Sequence, residues 1–270
     1  MRPLSQFPLD AKTDIQFVLT DIDDTLTLNG RLPAVAFVAM ERLHSAGFKV
    51  IPITGRPAGW CDHIARMWHV DAVVGENGAF YFYYDHKNRK MIRRYWKSEK
   101  EREADRARLD AIRDKVISEV PGARVAADQA YREADLAIDF CEDVPPLPAS
   151  EIDKIVAIFE AAGAAAKISS IHVNGWFGDY DKLSMTRLLF REVFYRELDQ
   201  IKQHVVFIGD SPNDVPMFRF FPHSIGVANI EKFCATIEAK PARVTRLPGG
   251  FGFAEVADNL IKANLESAKS

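Results

Sequence analysis

Cysteine is scarce in this chain of 270 residues, with only Cys61, Cys141 and Cys234. The three are far apart, odd in number and never in a Cys-x-x-Cys spacing. This pattern argues against a disulfide framework and favours each thiol as a small buried hydrophobe. A protein without disulfides suits a reducing compartment, so the sequence predicts a cytoplasmic location.

Long apolar runs and an excess of charge of one sign are also missing. No hydrophobic segment approaches the length of a membrane span, and residues 1–14 are polar and broken by proline, unlike a signal peptide. The net charge of -3 lacks the basic character of a nucleic-acid-binding surface. We therefore expect neither a membrane nor a nucleic acid as partner. Hydrophobic residues make up 47% of the chain, ample for one large domain or two of ordinary size.

An acidic cluster follows the first apolar run of the chain. Phe17 to Leu19 are typical of a buried parallel strand, and Asp21, Asp23 and Asp24 follow directly. Aspartate is poor in strands, so we expect the cluster at the carboxyl end of the strand, where open α/β sheets bind ligands. Carboxylates this close repel each other unless a cation compensates, and a hard divalent ion such as Mg²⁺ meets that need. The simpler alternative is an acidic turn.

Two further apolar strands end in polar residues. The strand predicted over 48–53 runs into Thr54-Gly55-Arg56, and the strand predicted over 205–208 runs into Gly209 to Asp214. A helix from about Pro33 separates the first two strands, which predicts a parallel pair. A hydroxyl, free backbone N–H groups and a guanidinium at one sheet edge suit an oxyanion.

The middle of the chain has a different order of predicted helices and strands, which is typical of an α+β unit with antiparallel pairing. Residues 79–96 predict a hairpin, and Ser98-Glu99-Lys100-Glu101 is a capping box that opens a helix to about Val120. Ser150 is expected to cap a second helix that ends at Ala162. Further elements predicted here and after it are short strands over 124–127, 136–140, 167–169 and 171–174, a helix opened by Lys182, a flexible loop over 248–253 and a last helix over 255–265.

Four motifs, in this order and spacing, resemble those of the haloacid dehalogenase superfamily of phosphotransferases. They are Asp21-x-Asp23-x-Thr25, Thr54, Lys182 and Gly209-Asp210-x-x-Asn213-Asp214. The resemblance implies an α/β fold with a Rossmann-like parallel-sheet core over residues 1–84 and 178–270 and an inserted α+β cap over residues 85–177. The cap is similar to the C2B type of subclass IIB, seen in Cof-type, sucrose-phosphate, trehalose-phosphate and mannosyl-3-phosphoglycerate phosphatases and in phosphomannomutase.

The resemblance also implies a role for each motif residue. Asp21 would be the nucleophile that forms an aspartyl-phosphate, and Asp23 the general acid for the leaving alcohol and then the base for water. Thr54 and the following Gly55 amide would hold the transferring phosphoryl group, while Lys182 neutralises it. Mg²⁺ is the implied cofactor, with Asp21 and Asp210 as side-chain ligands, Asp23 through its backbone carbonyl, and Asp214 either as a ligand or as a hydrogen-bond partner of the ligands.

Further contacts to phosphate or substrate are expected from Arg56, Asn77, Asn213 and Arg132. Arg132 either grips a second anionic group or is an exposed surface arginine. Asn174 and Trp176 are expected to line a sugar site, whereas His172 is expected to pack or face solvent. Two positions depart from the family pattern, because Asp24 and Leu183 stand where glycine is common.

These residues predict a Mg²⁺-dependent phosphatase of a small phosphorylated metabolite, a sugar or glycosyl phosphate, acting as a monomer or homodimer. One alternative with the same chemistry is a phosphomutase of the phosphomannomutase kind. Another is a non-catalytic phosphate-sensing or scaffold protein on the same fold, although such a protein has no need of the full set of charged motif residues.

Overall fold

A computed structural model describes residues 1–235 and 237–267 of the chain. None of the helices in these ranges is long and apolar enough to cross a membrane. The strands and α-helices, in chain order, are β1 Arg2–Pro3, α1 Leu9–Thr13, β2 Phe17–Thr20, α2 Ala34–Ser45, β3 Lys49–Pro52, α3 Ala58–Met67, β4 Val73–Gly75, β5 Phe80–Asp85, β6 Lys90–Tyr95, α4 Glu99–Glu119, β7 Arg124–Val125, β8 Leu136–Asp139, α5 Ala149–Ala161, β9 Ala165–Ile168, β10 His172–Trp176, α6 Lys182–Val193, α7 Leu198–Ile201, β11 Val205–Gly209, α8 Val215–Phe220, β12 His223–Gly226, β13 Arg243–Val244 and α9 Gly249–Ser267.

The centre of the fold is a six-stranded parallel sheet in the order β1-β13-β12-β11-β2-β3. In the middle of it Leu19 of β2 lies between Phe207 of β11 and Ile51 of β3. The predicted α/β class with a parallel sheet is confirmed. Because neighbouring strands run in the same direction, the residues that follow β2, β3 and β11 meet at one edge of the sheet.

Both faces of this sheet are buried, which explains why its strands are continuously apolar. Val18 and Val206 pack into one hydrophobic cluster, together with side chains of α2 and α9. Leu19 and Phe207 point to the other face and pack with Met185 of α6. The alternation follows from the two-residue period of a strand.

Two smaller antiparallel sheets are formed by the middle of the chain. The three-stranded sheet has the order β4-β5-β6, and the four-stranded sheet has the order β7-β8-β10-β9. Helices α4 and α5 cover the four-stranded sheet with a hydrophobic cluster of their own, which includes Val116, Ile138, Phe159 and Val173. A separate cluster is what an inserted α+β unit requires, because each unit must bury its own apolar face.

The hairpin of β5 and β6 crosses the domain boundary predicted between residues 84 and 85. Its ladder runs without a break from the pair Phe80–Tyr95 to the pair Asp85–Lys90. Strand β5 also pairs with β4, and Phe80 and Phe82 pack in the same cluster as Val18 of the central sheet. We propose that the hairpin belongs with the core and that the cap begins after Tyr95.

Two local predictions are wrong. Ser150 does not cap α5, because the helix begins at Ala149 with Pro148 at the N-cap position and no side-chain cap bond. The segment 248–253 is not a flexible loop, because α9 begins at Gly249. The glycines there serve close packing rather than flexibility: a Cβ on Gly249 would lie 2.5 Å from the carbonyl oxygen of Thr27.

Candidate active site

Lys182 connects two carboxylates at the carboxyl edge of the central sheet. Its Nζ lies 2.7 Å from Oδ1 of Asp21 and 2.9 Å from Oδ1 of Asp214, and all three side chains are buried. Lys182 is the first residue of α6, whose N-terminus is fixed by a reciprocal capping box between Asp181 and Ser184. The capping box at the N-terminus of α6 therefore sets where the ammonium group of Lys182 enters the site.

Three carboxylates surround this ammonium group. One oxygen each of Asp21, Asp210 and Asp214 lies within 4.8 Å of the others. Burial raises the pKa of Asp21 to about 8, with Lys182 opposing the rise and Asp214 adding to it. Burial together with the charge of Asp21 also raises the pKa of Asp210. One ammonium group does not balance three buried carboxylates, so this oxygen-rich donor set fits a hard divalent cation such as Mg²⁺.

Two neutral side chains orient Asp210. The hydroxyl of Thr25 donates to its Oδ1 at 3.2 Å, and Nδ2 of Asn229 donates to its Oδ2 at 3.1 Å. Asn229 also donates to the carbonyl of Asp24, whose φ of 55° explains why glycine suits that position. Sequence reasoning missed Asn229. The available signal was its position soon after β12, because a polar residue after a parallel strand is expected at the same edge of the sheet.

Asp23 lies outside the three-carboxylate cluster and binds Arg56. Nε of Arg56 lies 3.0 Å from each oxygen of Asp23, and Nη2 lies 2.8 Å from Oδ1. The same guanidinium lies 3.1 Å from Glu142 and 3.5 Å from Asp128, both in the cap, and stacks 4.4 Å above the ring of Trp60. Arg56 thus joins the predicted acid–base residue to the cap. A phosphate contact of Arg56 stays a prediction.

Thr54 and Gly55 form the backbone turn that links β3 to α3. The hydroxyl of Thr54 accepts from the N–H of Arg56 at 3.0 Å, and the N–H of Asn77 donates to the Thr54 carbonyl at 3.0 Å. The Asn77 side chain packs on Gly55, where a Cβ would lie 3.1 Å from its Nδ2. That Nδ2 is buried and has no hydrogen-bond partner within the described residues.

Gly78 brings the segment after β4 against the start of α6. Its φ is 110°, and a Cβ there would lie 2.1 Å from the carbonyl oxygen of Asp181. Only glycine permits this approach, and it places the N-terminus of α6, and therefore Lys182, beside the sheet edge. The Asn77-Gly78 pair serves this packing and is not a hairpin turn.

Glu76 and Arg132 hold the cap loop over residues 132–135 on the core. The buried carboxylate of Glu76 accepts backbone N–H groups from Ala58 in α3 and from Glu133, Ala134 and Asp135 in the cap. Burial raises its pKa to about 8, and the charge of Asp135 adds to the effect. The four donors come from both parts of the chain, so this carboxylate is a direct connection between core and cap.

Arg132 is buried and is not the exposed surface residue that was one of the two expectations. Its guanidinium donates to Asp128, to Asp135 and, at 3.0 Å, to the carbonyl of Gly55 in the core. Asn174 donates to Asp135 at 3.1 Å. A grip on a second anionic group stays a prediction. The two carboxylates already more than balance the single charge of Arg132.

A narrow cleft of about 20 Å³ lies between the sheet edge and the cap. His172 lies in its wall, with Nε2 2.9 Å from the carboxylate of Glu142, rather than facing solvent or packing in a core. Trp176 is not among the lining residues, because it is buried against Tyr180 with ring centres 5.7 Å apart. The residues that line the cleft are Asp21, Asp23, Gly55, Arg56, Arg132, Ser169, Ser170, Ile171, His172, Asn174, Ser211 and Asn213.

The fold is a Rossmann-like parallel-sheet core with an inserted α+β unit, and the carboxyl edge of its sheet carries a lysine beside three carboxylates. Residues 18–105 match the family of haloacid dehalogenase-like hydrolases. This match confirms the predicted resemblance to the haloacid dehalogenase superfamily. The matched family is one of hydrolases. A comparison with curated proteins finds no match.

Similar solved structures extend over nearly the whole chain. A protein of Thermoplasma acidophilum is 18% identical with a TM-score of 0.68, covering 91% of this chain and 98% of its own. The sucrose-phosphatase of Synechocystis sp. is 13% identical with a TM-score of 0.62, covering 91% of this chain and 98% of its own. A sugar phosphatase of subclass IIB of the superfamily is 15% identical with a TM-score of 0.58, covering 94% of this chain and 99% of its own. At these identities the likeness concerns the fold, core and cap together.

Proposed function

We propose that this protein is a Mg²⁺-dependent phosphatase that hydrolyses a small phosphorylated metabolite through an aspartyl-phosphate on Asp21. The observation that carries the proposal is the buried contact of Lys182 with Asp21 and Asp214 beside Asp210 at the carboxyl edge of the sheet. Phosphoryl transfer depends on positioning and charge neutralisation, and this arrangement concentrates both at one carboxylate. Two solved relatives with sugar-phosphatase activity in their names support a sugar phosphate as the substrate class.

In the first step a carboxylate oxygen of Asp21 attacks phosphorus, and the bond between phosphorus and the alcohol oxygen breaks. Asp23 gives a proton to the leaving oxygen, so the alcohol departs neutral. In the second step Asp23 takes a proton from water, which attacks phosphorus and breaks the bond to Asp21. Arg56 fixes the orientation of the Asp23 carboxylate for both proton transfers. Alcohol and inorganic phosphate are the products.

The remaining residues of the site hold the phosphoryl group during both steps. The hydroxyl of Thr54, the N–H of Gly55 and the ammonium of Lys182 are suited to its oxygens, and Asn77 offers a free amide next to Gly55. Asn213 is oriented by Ser211, whose hydroxyl lies 2.8 Å from Oδ1 of Asn213. Mg²⁺ held by Asp21, Asp210 and Asp214 would add positive charge next to the transferring group.

The proposal is tested by measuring phosphate release from a panel of phosphate monoesters with and without Mg²⁺. We expect release that depends on Mg²⁺ and is lost in Asp21→Asn, with a trapped aspartyl-phosphate on the wild-type chain. Asp199→Asn is the matched control, because Asp199 is an exposed carboxylate in a surface pair with Arg187. Release that persists in Asp21→Asn would contradict the proposal. Turnover only with a bisphosphate activator, with little free phosphate, would point to the phosphomutase instead.

A further inference from the structure

A second and much larger cavity opens on the other side of Asp23. It has a volume of about 500 Å³, within the usual range for small-molecule sites, and the cleft described above has only about 20 Å³. Asp23 and Arg56 line both spaces, so the cavity adjoins the proposed catalytic centre at the residue that would protonate the leaving group.

The position of Asp23 decides where the alcohol part of a substrate can lie. The leaving oxygen must come within hydrogen-bond reach of this carboxylate, so the alcohol extends from Asp23 into adjacent space. The cleft has room for one or two water molecules and cannot hold a sugar ring in the present arrangement of the cap. The 500 Å³ cavity is already formed, as is usual for ligand sites.

The walls of the cavity favour a flat apolar ring. Trp60, His63 and Trp68 come from α3 and the residue that follows it, and Tyr131 reaches across from the cap. The charged groups in the wall are already paired, because Asp23 and Arg56 bind each other and the guanidinium stacks on Trp60. The wall therefore offers a sugar no unpaired carboxylate or guanidinium, whereas an aromatic ring can stack on two or three of these side chains.

We infer that this cavity holds the alcohol part of the substrate and that this part carries a planar aromatic ring. The inference rests on the proposed function, because it takes Asp23 as the group that protonates the leaving oxygen. It replaces the sugar suggested by the names of the relatives with an aryl-bearing alcohol. Trp60 and Tyr131 are then specificity-determining residues, and both side chains are exposed in the cavity wall.

The test compares two primary-alcohol phosphates, 2-naphthylmethyl phosphate and glucose 6-phosphate, whose leaving alkoxides are similar in basicity. We expect the naphthyl compound to have the higher kcat/KM. In Tyr131→Ala its KM is expected to rise about 3- to 10-fold, the range of one aromatic stacking contact, with the KM of glucose 6-phosphate unchanged. Trp60→Leu should act in the same direction, and Tyr195→Ala is the control, because Tyr195 is 87% exposed and does not line the cavity.

Binding of the product 2-naphthylmethanol separates the proposal for the cavity from the proposed phosphatase function. Quenching of tryptophan fluorescence measures this binding. Quenching that weakens in Tyr131→Ala, with no hydrolysis of any ester, supports the cavity and overturns the proposed function. Hydrolysis without such binding, or with a preference for glucose 6-phosphate, overturns the proposed role of the cavity and leaves the proposed phosphatase function intact. An equal loss for both substrates in Tyr131→Ala also overturns it, because that result reports a general disturbance of the cap.

Discussion

Arg56 holds the carboxylate of Asp23 side-on, with Nε 3.0 Å from each oxygen and Nη2 2.8 Å from Oδ1. A pair of this kind uses two N–H groups on one edge of the planar guanidinium, so it fixes the orientation of the carboxylate as well as its distance. Glu142 of the cap lies on the same guanidinium at 3.1 Å. Asp23, the proposed proton-transfer residue, is therefore positioned by a side chain that also contacts the cap.

Replacing Arg56 by lysine should slow catalysis. Lysine keeps the charge but cannot form the side-on contact of two N–H groups, so Asp23 loses its fixed orientation. We expect kcat for phosphate release to fall about 10- to 100-fold, as is typical of a misplaced catalytic group, with KM changed little. The matched control is Arg187→Lys, because Arg187 forms a similar fork on Asp199 at the surface. A rise in KM with kcat unchanged would mean that Arg56 acts on phosphate rather than through Asp23.

The contribution of the contact between the cap and Arg56 to stability should depend on pH. His172 and Arg56 lower the pKa of Glu142 to about 2, below its ordinary value of 4.5. A lowered folded-state pKa stabilises the protein at pH values above 4.5, and the contribution is lost as the pH falls towards 2. Wild type should therefore exceed Glu142→Gln in free energy of unfolding at about pH 6, and the difference should shrink at about pH 3.

Urea unfolding at both pH values measures that difference. Glu238→Gln is the control, because Glu238 is exposed and pairs with Arg219 at the surface. A difference for Glu142→Gln that stays constant, or grows, as the pH falls would show that the ion pair does not contribute.

Loss of the Glu76 carboxylate should weaken the connection between core and cap. Glutamine keeps one acceptor oxygen but turns an amide N–H₂ towards backbone N–H groups of Ala58 and the cap loop. Buried donors left without an acceptor are costly, so we expect Glu76→Gln to lower the free energy of unfolding by about 2–4 kcal/mol. Chemical denaturation measures this value. Glu133→Gln, at an exposed carboxylate of the same loop, should change it little, and equal effects of the two variants would refute the special role of Glu76.

Added Mg²⁺ should raise the thermal stability of the protein through the three-carboxylate cluster. A ligand present at about 100 times its Kd stabilises by about 2.7 kcal/mol if it binds the folded chain alone. The gain should be larger at about pH 8.5 than at about pH 6, because the ion must displace a proton from Asp21, whose pKa is raised to about 8. Asp210→Asn should lose most of the gain and Asp199→Asn none. An undiminished gain in Asp210→Asn would place the ion elsewhere.

The sequence by itself determined the class of the fold and the positions of the charged groups at the sheet edge. Continuous apolar runs such as 205–208 have few alternatives to a strand buried on both faces. Aspartates directly after such runs must lie at strand ends, and parallel strands bring those ends together. The approximate place of Asp21, Thr54 and Asp210 was therefore fixed by local patterns alone.

The tertiary structure decided which groups pair with which. Arg132 is far in sequence from the Gly55 carbonyl and Glu76 is far from the backbone N–H groups of the cap loop. No local pattern distinguishes a buried charge that makes such contacts from a charge at the surface. The glycines at 249 and 250 looked like a loop because sequence shows the freedom of glycine but not the backbone that packs against it. The cavity beside Asp23 likewise exists only because α3 and the cap residue Tyr131 meet in space, and burial and charge compensation between distant segments carry no signature along the chain.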